Sequence, residues 1–163
     1  MASSVTIVLM GVAGSGKTTV GIALAARLGL EFFDADLLHS TAAREQMAHG
    51  VPLSDAQRDA WIERLVQEVA DAPPRVVACS ALRRTDRDRV REVRPTQWFL
   101  LDVPASVLAR RLARRREHFF PPGLLDSQLD RFEAPADDED VVVIDGDRPV
   151  AVVADDIAAR IKK

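Results

Sequence analysis

The chain of 163 residues has one cysteine, Cys79, no tyrosine, and an aromatic content of only 5%. A single thiol can neither close an intramolecular disulfide nor build a cysteine metal site, so a disulfide-stapled scaffold is excluded. The missing phenol excludes tyrosine acid chemistry, and so few rings argue against base stacking on single-stranded nucleic acid. Lysine is almost as scarce. It occurs only as Lys17, Lys162 and Lys163, so 19 of the 22 basic residues are arginine. Compositional bias accounts for that excess, but the position of the one interior lysine needs its own explanation. Long apolar runs are missing too. Val5 to Met10 is six residues long before Gly11, too short for a signal-peptide core or a membrane span, and no basic segment precedes it. A net charge of −3 gives no basic footprint for nucleic acid. A soluble cytoplasmic protein without membrane or nucleic-acid partner is expected.

The remaining composition, 47% hydrophobic and 29% charged, is that of a folded globule, and the length suits one domain over residues 1–163. Short apolar runs alternate with amphipathic stretches. Val5–Met10, Glu31–Phe33, Val76–Cys79, Trp98–Leu101 and Val141–Ile144 read as strands, the first continuous enough to be buried on both faces. Helices are predicted from Lys17 to Leu28, after a capping box at Ser54 and Gln57, after Pro104, and after Pro149. Alternation of this kind implies crossover units and a mainly parallel sheet, an α/β domain.

Gly11-Val12-Ala13-Gly14-Ser15-Gly16-Lys17-Thr18 follows the first strand and opens the first helix, and it satisfies G-x-x-x-x-G-K-[ST]. Glycines let backbone N–H groups approach phosphate oxygens, and the helix N-terminus adds a positive dipole. Lys17 supplies a compact charge to the β- and γ-phosphates, and Thr18 offers a hydroxyl to Mg²⁺. A planar guanidinium is too large for that loop, which explains the retained lysine. The pattern predicts ATP and Mg²⁺ as cofactors, with Thr19 among the nucleotide contacts. Asp34 and Asp36 emerge at the end of the second strand, where ligands of open α/β sheets bind. Strand alternation would turn them to similar sides, one near the metal and one near an acceptor hydroxyl; a turn or helix-capping pair is the other reading.

The motifs together resemble the small gluconokinases of the phosphate-loop kinase group. The resemblance is carried by Gly11 through Gly21, Asp34-Ala35-Asp36-Leu37-Leu38-His39, Met47 through Gly50, Pro52-Leu53, Asp55, Arg58 and Trp61. It continues through Ala78-Cys79-Ser80-Ala81-Leu82-Arg83-Arg84, Arg111-Leu112, Arg115, His118-Phe119-Phe120, Ser127-Gln128 and Glu133-Ala134-Pro135. It implies a three-layer αβα sandwich around a five-stranded parallel sheet, with a helical lid over about residues 111–124 and a homodimer. It also implies phosphoryl transfer from ATP to the 6-hydroxyl of gluconate. By position, Lys17, Asp36 and Arg115 would be catalytic, with Thr18 and Asp34 serving the metal. Arg111 and Arg115 would approach the phosphates, while Asp36, His39, Arg58, Ser80, Arg83 and His118 would hold the acid. Ser40, Gln57 and Ala60 depart from the family pattern and bear on which acid is accepted. A kinase of another small hydroxy acid, of shikimate type, and a nucleotide-binding module without catalysis stand as alternatives.

Two arginine groups remain. Arg110, Arg111, Arg114, Arg115 and Arg116 read as the C-terminal part of the helix opened by Pro104, with Arg111 and Arg115 sharing a face; they are a solvated face or charge stabilisers for phosphoryl transfer. Arg83 to Arg94, interleaved with acids, reads as an exposed helix, with Arg83 and Arg84 the candidates for an anionic substrate. Val143 to Pro149 joins the fifth strand to the last helix, as a simple strand–helix link or, as the resemblance to related kinases implies, a loop that helps to hold adenine.

Overall fold

The computed structural model describes residues 5–115 and 121–162, apart from the Pro122 side chain. Five parallel strands lie in the order β2-β3-β1-β4-β5: β1 (Thr6–Met10), β2 (Phe32–Asp34), β3 (Val76–Cys79), β4 (Thr96–Asp102) and β5 (Val141–Asp145). All of β1 is buried, and its alternating side chains supply two separate cores. Ile7 and Leu9 pack with Val20 and Leu24 of α1 (Lys17–Leu28) and Val153 and Ile157 of α7 (Val150–Arg160). Val8 and Met10 face Trp61, Ile62, Leu65 and Val69 of α3 (Asp55–Asp71). Those four positions recur at helical spacing, and burying each such side chain contributes about 1.5–3 kcal/mol. The result is the α/β domain that the alternation of elements predicts, and the αβα sandwich that the resemblance implies.

Serines start the second and third helices. Ser40 Oγ accepts from the Ala43 N–H at the head of α2 (Thr41–Ala48), and Ser54 and Gln57 form the predicted capping box of α3. Gln57 also exchanges two side-chain hydrogen bonds with Gln46, of 2.9 and 3.2 Å. Two of the three family departures therefore cap and tie helices here.

The exposed-helix reading of Arg83–Arg94 needs correction. This segment forms α4 (Arg84–Val93), but Asp86 and Arg87 are almost fully buried. The Arg87 guanidinium donates two hydrogen bonds of 2.6 Å to Glu139 and others to the Leu82 and Glu133 carbonyls. A mixed-sign run is solvated only where no distant carboxylate claims one of its charges, and here Glu139 does. The Arg87 hydrogen bonds hold the Glu139 carboxyl down at about 2, although burial opposes them. A depressed carboxyl stabilises the fold above its ordinary value of 4.5, and that contribution disappears as pH falls towards 2. Glu139→Gln should flatten stability across this acid window. Arg87→Met, which strands a buried carboxylate, should lower the free energy of unfolding by about 3–5 kcal/mol in urea melts at neutral pH.

The other arginine group also differs. The helix opened by Pro104, α5 (Ala105–Ala113), stops with Arg114 at its C-cap, so Arg111 and Arg115 do not share a helix face. Extending it would stack Arg110 on Arg114 and Arg111 on Arg115, like charges that disfavour another turn. Then comes α6 (Pro122–Arg131). Val107, Leu108 and Leu112 of α5 join Leu125 of α6, Val12 and Leu82 in a third core at the carboxyl edge of the sheet. Residues 116–120, including His118 and much of the expected lid, lie outside the described residues.

Candidate active site

Central strand β1 delivers the chain to the carboxyl edge at Gly11. Gly14 and Gly16 have φ of 84° and 95°, a left-handed backbone that a β-carbon disfavours. Gly16 is the N-cap of α1, which has no side-chain cap, unlike α2 and α3, and no acid in its first turn, unlike α3. Uncapped N–H groups and the helix dipole therefore converge on an anion site. Lys17 Nζ donates to the carbonyls of Gly11 at 2.8 Å and Val12 at 3.1 Å. Burial pushes the ammonium's pKa below its usual value, against the pull of Asp36 and Asp34. Ser15 is buried with its hydroxyl unpartnered among the described residues, while Thr18 and Thr19 are exposed.

Thr18 Oγ1 donates to Asp34 Oδ2 at 3.1 Å. A hydroxyl and a carboxylate, both hard oxygen donors, suit Mg²⁺, which keeps several waters and needs few protein ligands. Among the described residues no cluster of three or more His, Cys, Asp or Glu could hold a metal. The donor set fits a phosphate-bridging ion and no dedicated protein cage.

Alternation does not govern Asp36, because β2 ends at Asp34 and residues Ala35–Leu38 form a short 3₁₀ turn. Asp34 instead caps that turn, its Oδ1 accepting from the Asp36 N–H at 2.9 Å. Trp61 Nε1 holds the Ala35 carbonyl at 2.7 Å, and the His39 ring stacks on Trp61 with centroids 4.8 Å apart. Asp36 is thereby fixed from both ends. Its carboxylate is reached by solvent, yet protein crowds around it. That crowding alone would raise its pKa, but His39, Lys17 and Arg115 hold it below the usual aspartate value. His39 Nε2 stands 3.7 Å from Asp36 Oδ1, an electrostatic contact and not a full hydrogen bond.

Arg58 and Arg83, both expected to hold the acid, differ in their partners. Arg83 is committed to protein, donating to both oxygens of Asp86 and to Asp59, and these partners raise its pKa. Arg58 is 8% exposed, and its Nε and Nη1 are buried without partners among the described residues. Burial lowers its pKa, with Asp86 opposing. A buried guanidinium with open donors is costly in the free protein and ready for a carboxylate. Arg58→Leu should raise the acceptor KM by about 10- to 100-fold, the worth of one or two charge-assisted hydrogen bonds. The same change should leave the melting temperature equal or higher, as scanning calorimetry would record. Ser80 is half-buried just past β3, and Arg84 forms a bidentate pair with Asp138. A cavity of about 340 Å³ near these residues is lined by Arg83, Asp55, Asp130, Arg131, Phe132 and Glu133.

On the nucleotide side, Arg111 donates to the carbonyls of Gly14 at 3.1 Å and Gly146 at 3.2 Å, stitching the phosphate loop to the β5–α7 link. Arg115 is exposed and lines a second cavity of about 340 Å³ with Gly14, Ser15, Gly16, Arg148 and Val150. Gly146 and Arg148 of that link border this cavity. The Ala13 N–H is taken by Gln128 at 2.7 Å. The sequence assigns no individual role to Gln128, Arg131 or Arg148. The Ser127-Gln128 pair was a visible signal; the other two are single arginines among many.

A family profile described as an AAA domain matches residues 6–135. A gluconokinase of Gluconobacter oxydans (strain 621H) is 41% identical over 156 residues, covering 93% of this chain and 88% of its own. The chain belongs to the gluconokinase family. A second gluconokinase, the thermosensitive one of Escherichia coli (strain K12), is 39% identical over 154 residues, 91% of this chain and 82% of its own. The crystal structure of a gluconokinase from Sinorhizobium meliloti 1021 superposes with a TM-score of 0.87 at 38% identity, covering 96% of this chain and 90% of that one. A shikimate kinase from Acinetobacter baumannii shares the gluconokinase fold alone, with a TM-score of 0.71 at 20% identity over 99% of this chain and 97% of that chain.

Proposed function

We propose that the protein transfers the γ-phosphoryl group of ATP to the 6-hydroxyl of D-gluconate, giving 6-phosphogluconate and ADP. The observation that supports this reading is Arg58, a buried guanidinium close to Asp86 and Arg83 whose Nε and Nη1 have no partner among the described residues. A sugar acid brings the carboxylate that completes it, and the gluconokinase relatives favour gluconate.

The phosphate-loop amides and Lys17 hold the β- and γ-phosphates, and Arg115 approaches from the exposed side of that cleft. Thr18 and Asp34 would hold Mg²⁺. The ion would neutralise charge on the phosphate oxygens. Asp36 orients the acceptor hydroxyl, whose oxygen forms the new bond to phosphorus as the bond to the ADP oxygen breaks. The hydroxyl proton leaves to the Asp36 carboxylate or to water. Since the transition state is loose, alignment and charge stabilisation contribute more than proton removal. Small water-soluble substrates suit a cytoplasmic enzyme, and no helix among the described residues is long and apolar enough to cross a membrane.

An acceptor panel in a coupled ADP-release assay tests the proposal. Gluconate should stand well above shikimate, nucleoside monophosphates and other sugar acids. A stronger response to any of these would reassign the acceptor, and ATP binding without acceptor-stimulated turnover would remove the kinase reading.

A further inference from the structure

Helix α6 touches both halves of the cleft. Near its middle, Gln128 Oε1 accepts from the Ala13 N–H at 2.7 Å, across 115 residues of sequence. Ala13 is the third residue of the phosphate loop, and this bond satisfies an amide that would otherwise need water. Leu125, one turn earlier, is buried in the same core as Val12 of the phosphate loop and Leu82 of the Leu82–Arg84 loop that follows β3. At the end of the helix, Arg131 Nη1 lies 3.5 Å from Asp55 Oδ1 of α3, and Asp130 and Arg131 border the acceptor-side cavity.

Two residues further, Glu133 closes on the Leu82–Arg84 loop. Its N–H donates to the Leu82 carbonyl at 2.9 Å, and its Oε2 accepts from the Arg84 N–H at 2.8 Å. The Glu133 carbonyl is held in turn by the buried Arg87 at 3.1 Å. The stretch from Gln128 to Glu133 is therefore a strap with one end on the phosphate loop and the other on the Leu82–Arg84 loop. Packed cores and hydrogen-bonded helices carry a displacement at one end to the other, since neither end yields independently.

We propose that Gln128 is a positioning residue that couples the two substrates, so that nucleotide in the phosphate loop improves binding of the acid and the acid improves binding of nucleotide. The effect must be reciprocal, because a coupling free energy belongs to both sites. This deepens the gluconate-kinase reading and rests on it. A plain structural brace would lower stability or both affinities without changing how one substrate affects the other.

Titration calorimetry on the full chain separates these cases. D-Gluconate is titrated with and without a non-hydrolysable ATP analogue and Mg²⁺. The wild-type affinity for gluconate should rise about five- to tenfold with the analogue, within the usual range of such couplings. Gln128→Leu should reduce that ratio below about twofold. Gln128→Glu keeps an oxygen for the Ala13 N–H, so it should keep the ratio while its charge weakens analogue binding. An unchanged ratio in Gln128→Leu, or its loss in Gln128→Glu, would overturn the proposal. So would a ratio of one in a wild-type enzyme that phosphorylates gluconate, which leaves the activity reading intact. A wild-type chain that binds the analogue but neither binds nor phosphorylates gluconate overturns both. Should Gln128→Leu not fold, amide exchange in the wild type decides: Ala13 must exchange more slowly than Gly14 and Gly16 before nucleotide is added. Equal rates would sink the strap.

Discussion

Lys17→Arg should lower kcat by at least about 10²- to 10³-fold, the usual consequence of removing a preorganised charge from a phosphoryl site. The chain substitutes arginine for lysine almost everywhere, so this position isolates what a guanidinium cannot do. The Lys17 ammonium sits on two loop carbonyls, at 2.8 and 3.1 Å, within a loop wound tightly enough to need left-handed glycines. A planar fork carries its charge further from the stem and presents donors at fixed angles. The positive charge survives the substitution while its placement does not. Steady-state ADP release at saturating ATP measures the loss, and a thermal melt checks that the fold persists. Turnover near that of the wild type would refute the argument.

Asp36→Asn should lower kcat/KM for gluconate by about 10²- to 10³-fold, through a rise in KM as well as a fall in kcat. The neighbours of Asp36 hold its pKa below the usual 3.8, so the group is ionised across the neutral range. The sign is that of a depressed carboxyl: its active form is present above that value and is lost only as pH falls below it. Asp36 therefore contributes no inflection to a pH–rate profile between about pH 6 and 8. In the proposed reaction its service is to accept the hydrogen bond of the acceptor hydroxyl and aim it. An Asn variant with unchanged acceptor affinity and a defect confined to one pH-dependent step would point to a base instead.

Residues whose role is local were legible in the sequence, and those defined by a distant partner were not. The phosphate loop, α1 from Lys17 to Leu28 and the Ser54–Gln57 capping box are written within a few residues of themselves. The run Val5 to Met10 carries its own burial on both faces, and β1 follows it within one residue. Arg87 shows the opposite case. It stands among alternating acids and bases and looks solvated until Glu139, far along the chain, arrives beside it. The contrast between a committed Arg83 and an open Arg58 likewise depends on where Asp59 and Asp86 fall after folding. Helix α2 has one buried residue, Ala43, and no apolar periodicity to announce it. Asp36 lies between these extremes: the sequence puts it at the right edge of the sheet, but the 3₁₀ turn and Trp61 decide its direction.

The stack of His39 on Trp61 has an optical side. With no tyrosine in the chain, the intrinsic emission of the protein comes from two indoles only. Trp98 is buried in the same core as Trp61, beneath the Arg91 guanidinium and with its Nε1 held by Thr96, away from Asp36 and His39. Trp61 holds the peptide next to Asp36 and carries the His39 ring on its face, so its colour and yield follow whatever disturbs that peptide or that ring. The molecule thus carries a built-in reporter beside Asp36.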